Sequence, residues 1–331
     1  MTCKKKLKDT QIICPKCKNV YSLVTLKYFV RKKLSTIEEM YRYFLPFQLF
    51  NHNDFKNCSL SKYGDGLWLK DEGLNQSKSI KEKDILIGLK CAFYLGYKKT
   101  MCVSGGSGIQ VVSSLSKNTI PVTLYSPTST RILVDNQILM GNDYEETFRM
   151  SLKMQSDDLF NITPGINPYS QEGCKTISWQ LIESKIKFDI IIIPCGNGSS
   201  LWGIYNGFKE AKAKGFISKI PKIFGVELAH GPIHHMLRTG KIRVNKNILN
   251  SKAISVDVKE SFCLQKASYA TKDSHGGIVK VSESNVIDSY NQIRLANKQI
   301  SFTAATAFAA ALKLRKKNPK SIMCCIMTSH H

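Results

Sequence analysis

Hydrophobic positions change their rhythm near residue 67 of this 331-residue chain. Before that point, residues 26–60 open with "LKYFVRKKLSTIEEMYRYFLPFQLF". Its spacing predicts an amphipathic helix ending before Pro46, then an irregular apolar lead-in. After it, short continuous apolar runs alternate with runs of helical period. The segments "LWLK", "KTMCVS", "IPVTLYSP", "FDIIIIPC", "PKIFGVEL" and "SIMCCIMTS" predict strands. Helices are predicted for "IKEKDILIGLKCAFYLG" (closed by Gly96), "IQVVSSLSKN", a stretch from Gln171 onward, "LWGIYNGFKEAKAKG", "ESNVIDSYNQIRLANK" and the alanine-rich "FTAATAFAAALKLRKK". A run such as "DIIIIP" lacks the alternation of a half-exposed strand, so parallel strands covered on both faces are expected. The fold class is therefore α/β, with two doubly wound parallel-sheet units.

Composition narrows the classes of function. Apolar residues make up 43% of the chain and charged ones 22%, enough for a large core. No window approaches the uncharged apolar length of a membrane helix, and no apolar run follows the basic start, so neither a membrane span nor a secretory leader is expected. Eleven cysteines at irregular spacing suit a reduced, cytoplasmic setting better than a disulfide framework. The net charge of +23 invites nucleic acid as a partner. Its lysines are spread from Lys4 to Lys320 and outnumber the arginines, unlike a clustered binding stripe, so no nucleic-acid partner is expected. "CPKC", Cys14 to Cys17, is half of a zinc ribbon without a second half, and reads as a metal-free remnant. "HGPIHHM" sets His230, His234 and His235 close together, but Pro232 argues for a turn and no acidic residue completes a ligand set. Cys174, Cys195, Cys324 and Cys325 read as packing residues.

Two Gly/Ser-rich turns each join a predicted parallel strand to a helix. They are "VSGGSGIQ", Val103–Gln110, and "PCGNGSSLWG", Pro194–Gly203. Small residues there let successive N–H groups point outward at a helix N-terminus, which suits a phosphate or a carboxylate. Neither turn carries the lysine of a P-loop. A lysine cluster, "SKSIKEK", opens the helix ahead of the first turn. A lysine amine condenses with aldehydes, so a lysine and two anion turns together describe pyridoxal phosphate chemistry.

The chain resembles threonine synthases, members of the tryptophan-synthase-β-like (fold type II) pyridoxal-phosphate enzymes, from about residue 67 to its end. "LWLKDEGLNQSKSIKEKD" is similar to L-W-x-K-D-E-x-x-N-P-T-G-S-F-K-D-R, which implies Lys81 as the Schiff-base lysine and proton shuttle. "NPYSQEGCKT", Asn167–Thr176, resembles N-P-x-R-x-E-G-x-K-T, and "IPCGNGSS" resembles V-P-x-G-N-x-G-N. "HGGIVKVSESNVIDSY" is similar to G-G-x-x-x-x-V-S-D-E-E-I, and "MTSHH" stands where the family has T-G-H-G. The resemblance implies pyridoxal 5'-phosphate as cofactor, its phosphate on Gly196, Asn197, Gly198, Ser199 and Ser200, and its ring nitrogen at Thr328 or Ser329. It implies a small amino-acid substrate, with its carboxylate on the backbone from Ser104 through Gly105, Gly106 and Ser107 to Gly108. Lys175 is a candidate to help hold the substrate. Lys70, Lys78 and Lys83 are expected to be surface or supporting charges. The implied activity is a lyase-type β- or γ-elimination or replacement in amino-acid metabolism, carried out by a homodimer.

Several positions depart from the family pattern. Gly106 replaces the asparagine beside the cofactor's 3'-oxygen, and Ser170 the arginine that contacts the substrate phosphate. "TAAT", Thr303–Thr306, replaces E-P-A-S, and Lys78 replaces a glycine. O-phosphohomoserine is thus a possible substrate that lacks its arginine fork. A non-catalytic homologue keeping the fold for binding is the alternative. The expected division is a ribbon-like piece at 1–25, a cofactor domain from 26–84 and 165–331, and a small α/β domain at 85–164.

Overall fold

The computed structural model describes residues 26–330 except 56–58, 118, 155, 245–249 and 297. Cys14 and Cys17 therefore lie outside the described residues. In chain order the elements begin with α1 (Glu38–Tyr43), β1 (Ser59–Gly64), β2 (Leu67–Asp71), α2 (Lys81–Tyr94), β3 (Lys99–Val103) and α3 (Gly108–Ser116). Next come β4 (Val122–Ser126), β5 (Gln137–Leu139), α4 (Tyr144–Ser151), β6 (Leu159–Asn161), α5 (Lys175–Glu183), β7 (Ile190–Pro194) and α6 (Ser199–Ala213). The chain closes with β8 (Lys222–Leu228), α7 (Pro232–Thr239), α8 (Leu264–Asp273), β9 (Gly277–Val281), α9 (Glu283–Leu295), α10 (Phe302–Lys317) and β10 (Met323–Met327).

Two sheets result, as the sequence predicts. The larger has the order β1-β2-β10-β7-β8-β9, and the smaller β5-β4-β3-β6. Every pairing is parallel except β1 with β2. That hairpin turns at Asp65-Gly66, where Gly66 has a φ of +67°. Such a turn needs a residue that tolerates the left-handed region.

Strand β7 shows why the apolar runs are continuous. Ile190 and Ile192 face a layer containing Phe308 and the alanines of α10, while Ile191 and Ile193 face α5 and α6. Both faces of the sheet are thus dry. The smaller sheet packs its own apolar set, including Cys102, Val122, Leu124 and Phe160, against Ile85 and Leu89 of α2.

Within 26–60 the helix ends before Pro46 as expected, though it is short, α1 covering Glu38–Tyr43, and the lead-in beyond it is irregular, with positive φ values of 57° at Phe47 and 56° at Gln48. The apolar residues pack irregularly, with Met40, Tyr41, Phe44, Leu45, Phe50 and Phe55 around Trp179. Pro232 behaves differently from expectation, opening α7 at its first position rather than making a bare turn.

Candidate active site

The parallel sheet brings the carboxyl end of β10 beside the loop between β2 and α2. Ile80 N–H donates to Thr328 O at 2.8 Å, Ser79 pairs with Ser329, and His330 N–H donates to Lys78 O at 3.3 Å. The His330 ring meets Asp71 at 2.9 Å and fits only because residue 73 is glycine. This stitching fixes the start of α2, whose first residue is Lys81.

Among the four lysines of 70–83, their surroundings separate the candidates. Lys70 and Lys83 are buried against Glu72, which also accepts from Asn75. They are supporting charges, and neither lies at the surface. Lys78 is exposed and holds a φ of +55°. Lys81 turns toward the first glycine turn: a Cβ on Gly108 would stand 3.2 Å from Lys81 Cδ and 2.6 Å from Ser104 Oγ. Burial lowers the Lys81 pKa, against the opposing pull of Cys102 and Asp84. A lowered pKa raises the fraction of neutral amine, the form that reacts with a carbonyl.

The turn after β3 begins at Ser104, whose buried hydroxyl has no partner, and Ser107 Oγ lies 3.4 Å from Ser79 Oγ. Ser104 N–H donates to Tyr125 O at 3.0 Å and Ile109 N–H to Gly106 O at 2.9 Å, which leaves the N–H groups between them, up to Gly108 at the start of α3, as the donors of this turn.

The turn after β7 is shaped by two glycines. A Cβ on Gly196 would overlap the Ser255 carbonyl oxygen, and one on Gly198 would sit 2.7 Å from Ala267 Cβ. Gly198 has a φ of +83° and starts the 15-residue α6, so the dipole of a long helix points into the turn. Asn197 is tied down: its carbonyl accepts from Ser261 Oγ at 2.8 Å and Cys263 N at 3.1 Å, and its side chain bonds Tyr144. The Ser200 hydroxyl reaches Cys174. Gly196 and Gly198 are buried and Ser199 is half-buried, so backbone N–H groups and the Ser199 hydroxyl are the remaining candidate donors of this turn.

Thr328 and Ser329 differ in a way their sequence does not show. Ser329 Oγ donates to Ser301 Oγ at 2.8 Å, while the buried Thr328 hydroxyl has no partner.

Lys175, an expected substrate contact, and Ser170, which stands in the arginine's place, both have other partners. Lys175 is buried, pairs with Glu172, lies 2.6 Å from Glu210 and stacks 4.5 Å from the Tyr28 ring. Its ammonium belongs to that ion cluster, which corrects the expectation that it holds substrate. Ser170 Oγ donates to Ile162 O at 3.1 Å and packs against Gly88, where a Cβ would lie 2.5 Å from it. An arginine has no room in this packing.

Four groups near these turns were not expected from sequence: Asp84, Cys102, Tyr144 and Ser255. Asp84 lies one turn along α2 from Lys81 and accepts from Cys174; burial pushes its carboxyl up to about 7. The Cys102 thiol is raised to about 12, mainly by burial, so it is no nucleophile. Tyr144 and Ser255 come from segments without a periodic pattern, and only the tertiary fold brings them here. His230 pairs with Asp257 at 2.7 Å, and among the described residues no group of His, Cys, Asp and Glu could hold a metal ion.

These residues fit a phosphate-bearing aldehyde. The site offers a lysine with a lowered pKa, two glycine cradles at helix starts and orphaned hydroxyls at Ser104 and Thr328. The profile of the family described as "Pyridoxal-phosphate dependent enzyme" matches residues 56–329. The threonine synthase of Methanosarcina acetivorans is 25% identical over 265 residues, 75% of this chain and 65% of that protein. That of Methanocaldococcus jannaschii is 24% identical over 290 residues, covering 80% of this chain and 70% of that protein. The chain thus spans about two thirds of the length of the relatives it matches. Among solved structures, maize serine racemase superposes with a TM-score of 0.68 at 18% identity, covering 80% of this chain and 83% of that one. An L-serine ammonia-lyase from Rhizomucor miehei gives 0.67 at 18% identity, covering 80% and 88%. The chain belongs to the pyridoxal-phosphate-dependent enzymes of fold type II, related to threonine synthases, and pyridoxal 5'-phosphate is its cofactor.

Proposed function

We propose that this chain is a lyase-type enzyme that eliminates or replaces a β- or γ-substituent on a small amino acid, with Lys81 as the cofactor-bearing residue and proton carrier. The observation that carries this reading is the approach of Lys81 to Gly108, 3.2 Å from Cδ to a Cβ built there. It sets an amine with a lowered pKa beside an anion-binding turn. When bound, pyridoxal phosphate supplies an electron sink that makes the substrate's Cα proton acidic. In this reading the backbone of residues 196–200 and the start of α6 hold the phosphate. Thr328, rather than Ser329, meets the ring nitrogen, since its hydroxyl is the one left unpaired. Residues 104–108 orient the substrate carboxylate. The Lys81 amine would move protons at the substrate's Cα and Cβ.

The substrate's leaving group is not a phosphate in this proposal. Ser170 is packed against α2 and Lys175 is committed to Glu172 and Glu210, so neither supplies a cation for a second phosphate. This favours an uncharged leaving group over that of O-phosphohomoserine.

The test is the near-ultraviolet and visible absorbance of the protein with pyridoxal phosphate, beside Lys81→Ala. Borohydride reduction and peptide mass spectrometry then locate the pyridoxyl group. A cofactor band that shifts with amino acids, and a label on Lys81, would support the proposal. A wild type that stays colourless with excess cofactor would replace it with the non-catalytic alternative.

A further inference from the structure

Between the two glycine turns lies a short strap. Ala253 and Val256 are buried in the core of the larger sheet, while Ile254 and Ser255 between them are exposed. The Ser255 carbonyl packs on Gly196, and its Oγ stands 3.8 Å from where a Cβ on Gly106 would begin. One residue thus lies against both turns, its hydroxyl facing the first of them at Gly106, a position without a side chain. The strap is held on either side. Asp257 accepts from Ser251 N–H at 2.8 Å and pairs with His230. Lys259 N–H donates to Glu145 at 3.0 Å, and Lys259 Nζ to Asp143 at 2.5 Å. With the chain held at both flanks, little beyond the Ser255 side chain itself has to be ordered to make a contact.

We infer that the Ser255 hydroxyl is a substrate-contacting, specificity-determining group that donates a hydrogen bond to the carboxylate of an amino acid seated on residues 104–108. This rests on the proposed amino-acid reading of the site. The turn at 104–108 gives N–H donors from one side, and Gly106 leaves its outer side open to Ser255. The inference therefore predicts a demand for a free carboxylate rather than a carboxamide.

The experiment titrates the cofactor absorbance of the holoenzyme with L-serine and with L-serinamide. It compares wild type, Ser255→Ala and Ser255→Thr. Expected for Ser255→Ala is about tenfold weaker binding of L-serine, as for loss of a hydrogen bond to a charged group. Binding of L-serinamide, whose neutral carboxamide oxygen is the weaker acceptor, should fall clearly less, and Ser255→Thr should keep the wild-type preference. The cofactor band without ligand should be the same in all three. Unchanged L-serine binding in Ser255→Ala, or an equal loss for both ligands, overturns the inference while leaving the enzyme reading intact. A wild type without a cofactor band, or with one that neither ligand moves, overturns the amino-acid reading and the inference with it.

Discussion

Asp84 sits one helical turn from Lys81 with its carboxyl pushed up to about 7, chiefly by burial. The native state therefore keeps a proton that the unfolded chain releases near pH 4. The stability this group contributes is complete below its unfolded pKa and is lost as pH rises toward about 7. Asp84→Asn keeps an acceptor for Cys174 without that titration. Urea unfolding of wild type and variant should show the variant gaining on wild type between about pH 4 and pH 7, by up to a few kcal/mol. A gap that stays constant across that range would mean Asp84 is solvated and ionised like an ordinary carboxylate. Lys175 gives a contrasting case. Lys175→Met leaves Glu172 and Glu210 buried together, so a loss of about 3 kcal/mol in unfolding free energy is expected. Amino-acid affinity of the folded variant should be unchanged; a selective loss of affinity would return Lys175 to the substrate site.

Elements with strong local patterns could be read before the fold was known. Helix α2 ends at Tyr94 ahead of Gly96, β7 is the run of isoleucines, and α10 is the alanine-rich stretch, all as the periodicity predicts. The hairpin of β1 and β2 was also available, since Asp65-Gly66 is a strong turn signal, but β1 has little apolar content to mark it. Strands β5 and β6 have three residues each, too short for any period to show. At the site, Lys81 and both glycine turns were legible because their chemistry is local. The packing of Ser170 and Lys175 was not, because it depends on Gly88, Glu210 and Tyr28, which lie far along the chain. The same nonlocality makes Gly196 sensitive. Gly196→Ala places a methyl on the Ser255 carbonyl and must displace either the strap or the start of α6. Pyridoxal phosphate affinity should fall at least tenfold, at a stability cost of about 1–3 kcal/mol. Fluorescence titration and urea unfolding measure the two, and wild-type cofactor affinity would show that the strap yields freely.

The two sheets meet at the site, where Ser79 lies beside Ser107, Asn197 beside Tyr144 and Asp84 beside Cys174. Helix α4, which packs beside β3 and β4, reaches the segment that follows the strap through Lys259 with Asp143, Arg149 with Glu260, and Phe148, whose ring is tilted 52° against that of Phe262 with centroids 4.3 Å apart. The charge pairs are partly exposed and contribute little individually, so the aromatic contact is the stronger link. Cofactor held on residues 196–200 would stabilise the larger sheet's layer directly, and the smaller one through α2 at Lys81 and through such joints. A ligand at about 100 times its Kd adds about 2.7 kcal/mol to the state that binds it, or roughly 5 °C in a protein of this size. If the joint couples the layers, wild-type calorimetry shows one transition that moves as a whole by that amount when pyridoxal phosphate is added. In Phe262→Ala the coupling is cut, and the cofactor should shift only part of the heat absorption, leaving a lower transition from the smaller layer in place. A single transition that shifts equally in both proteins would show that α2, which packs on the smaller sheet while carrying Lys81, is joint enough.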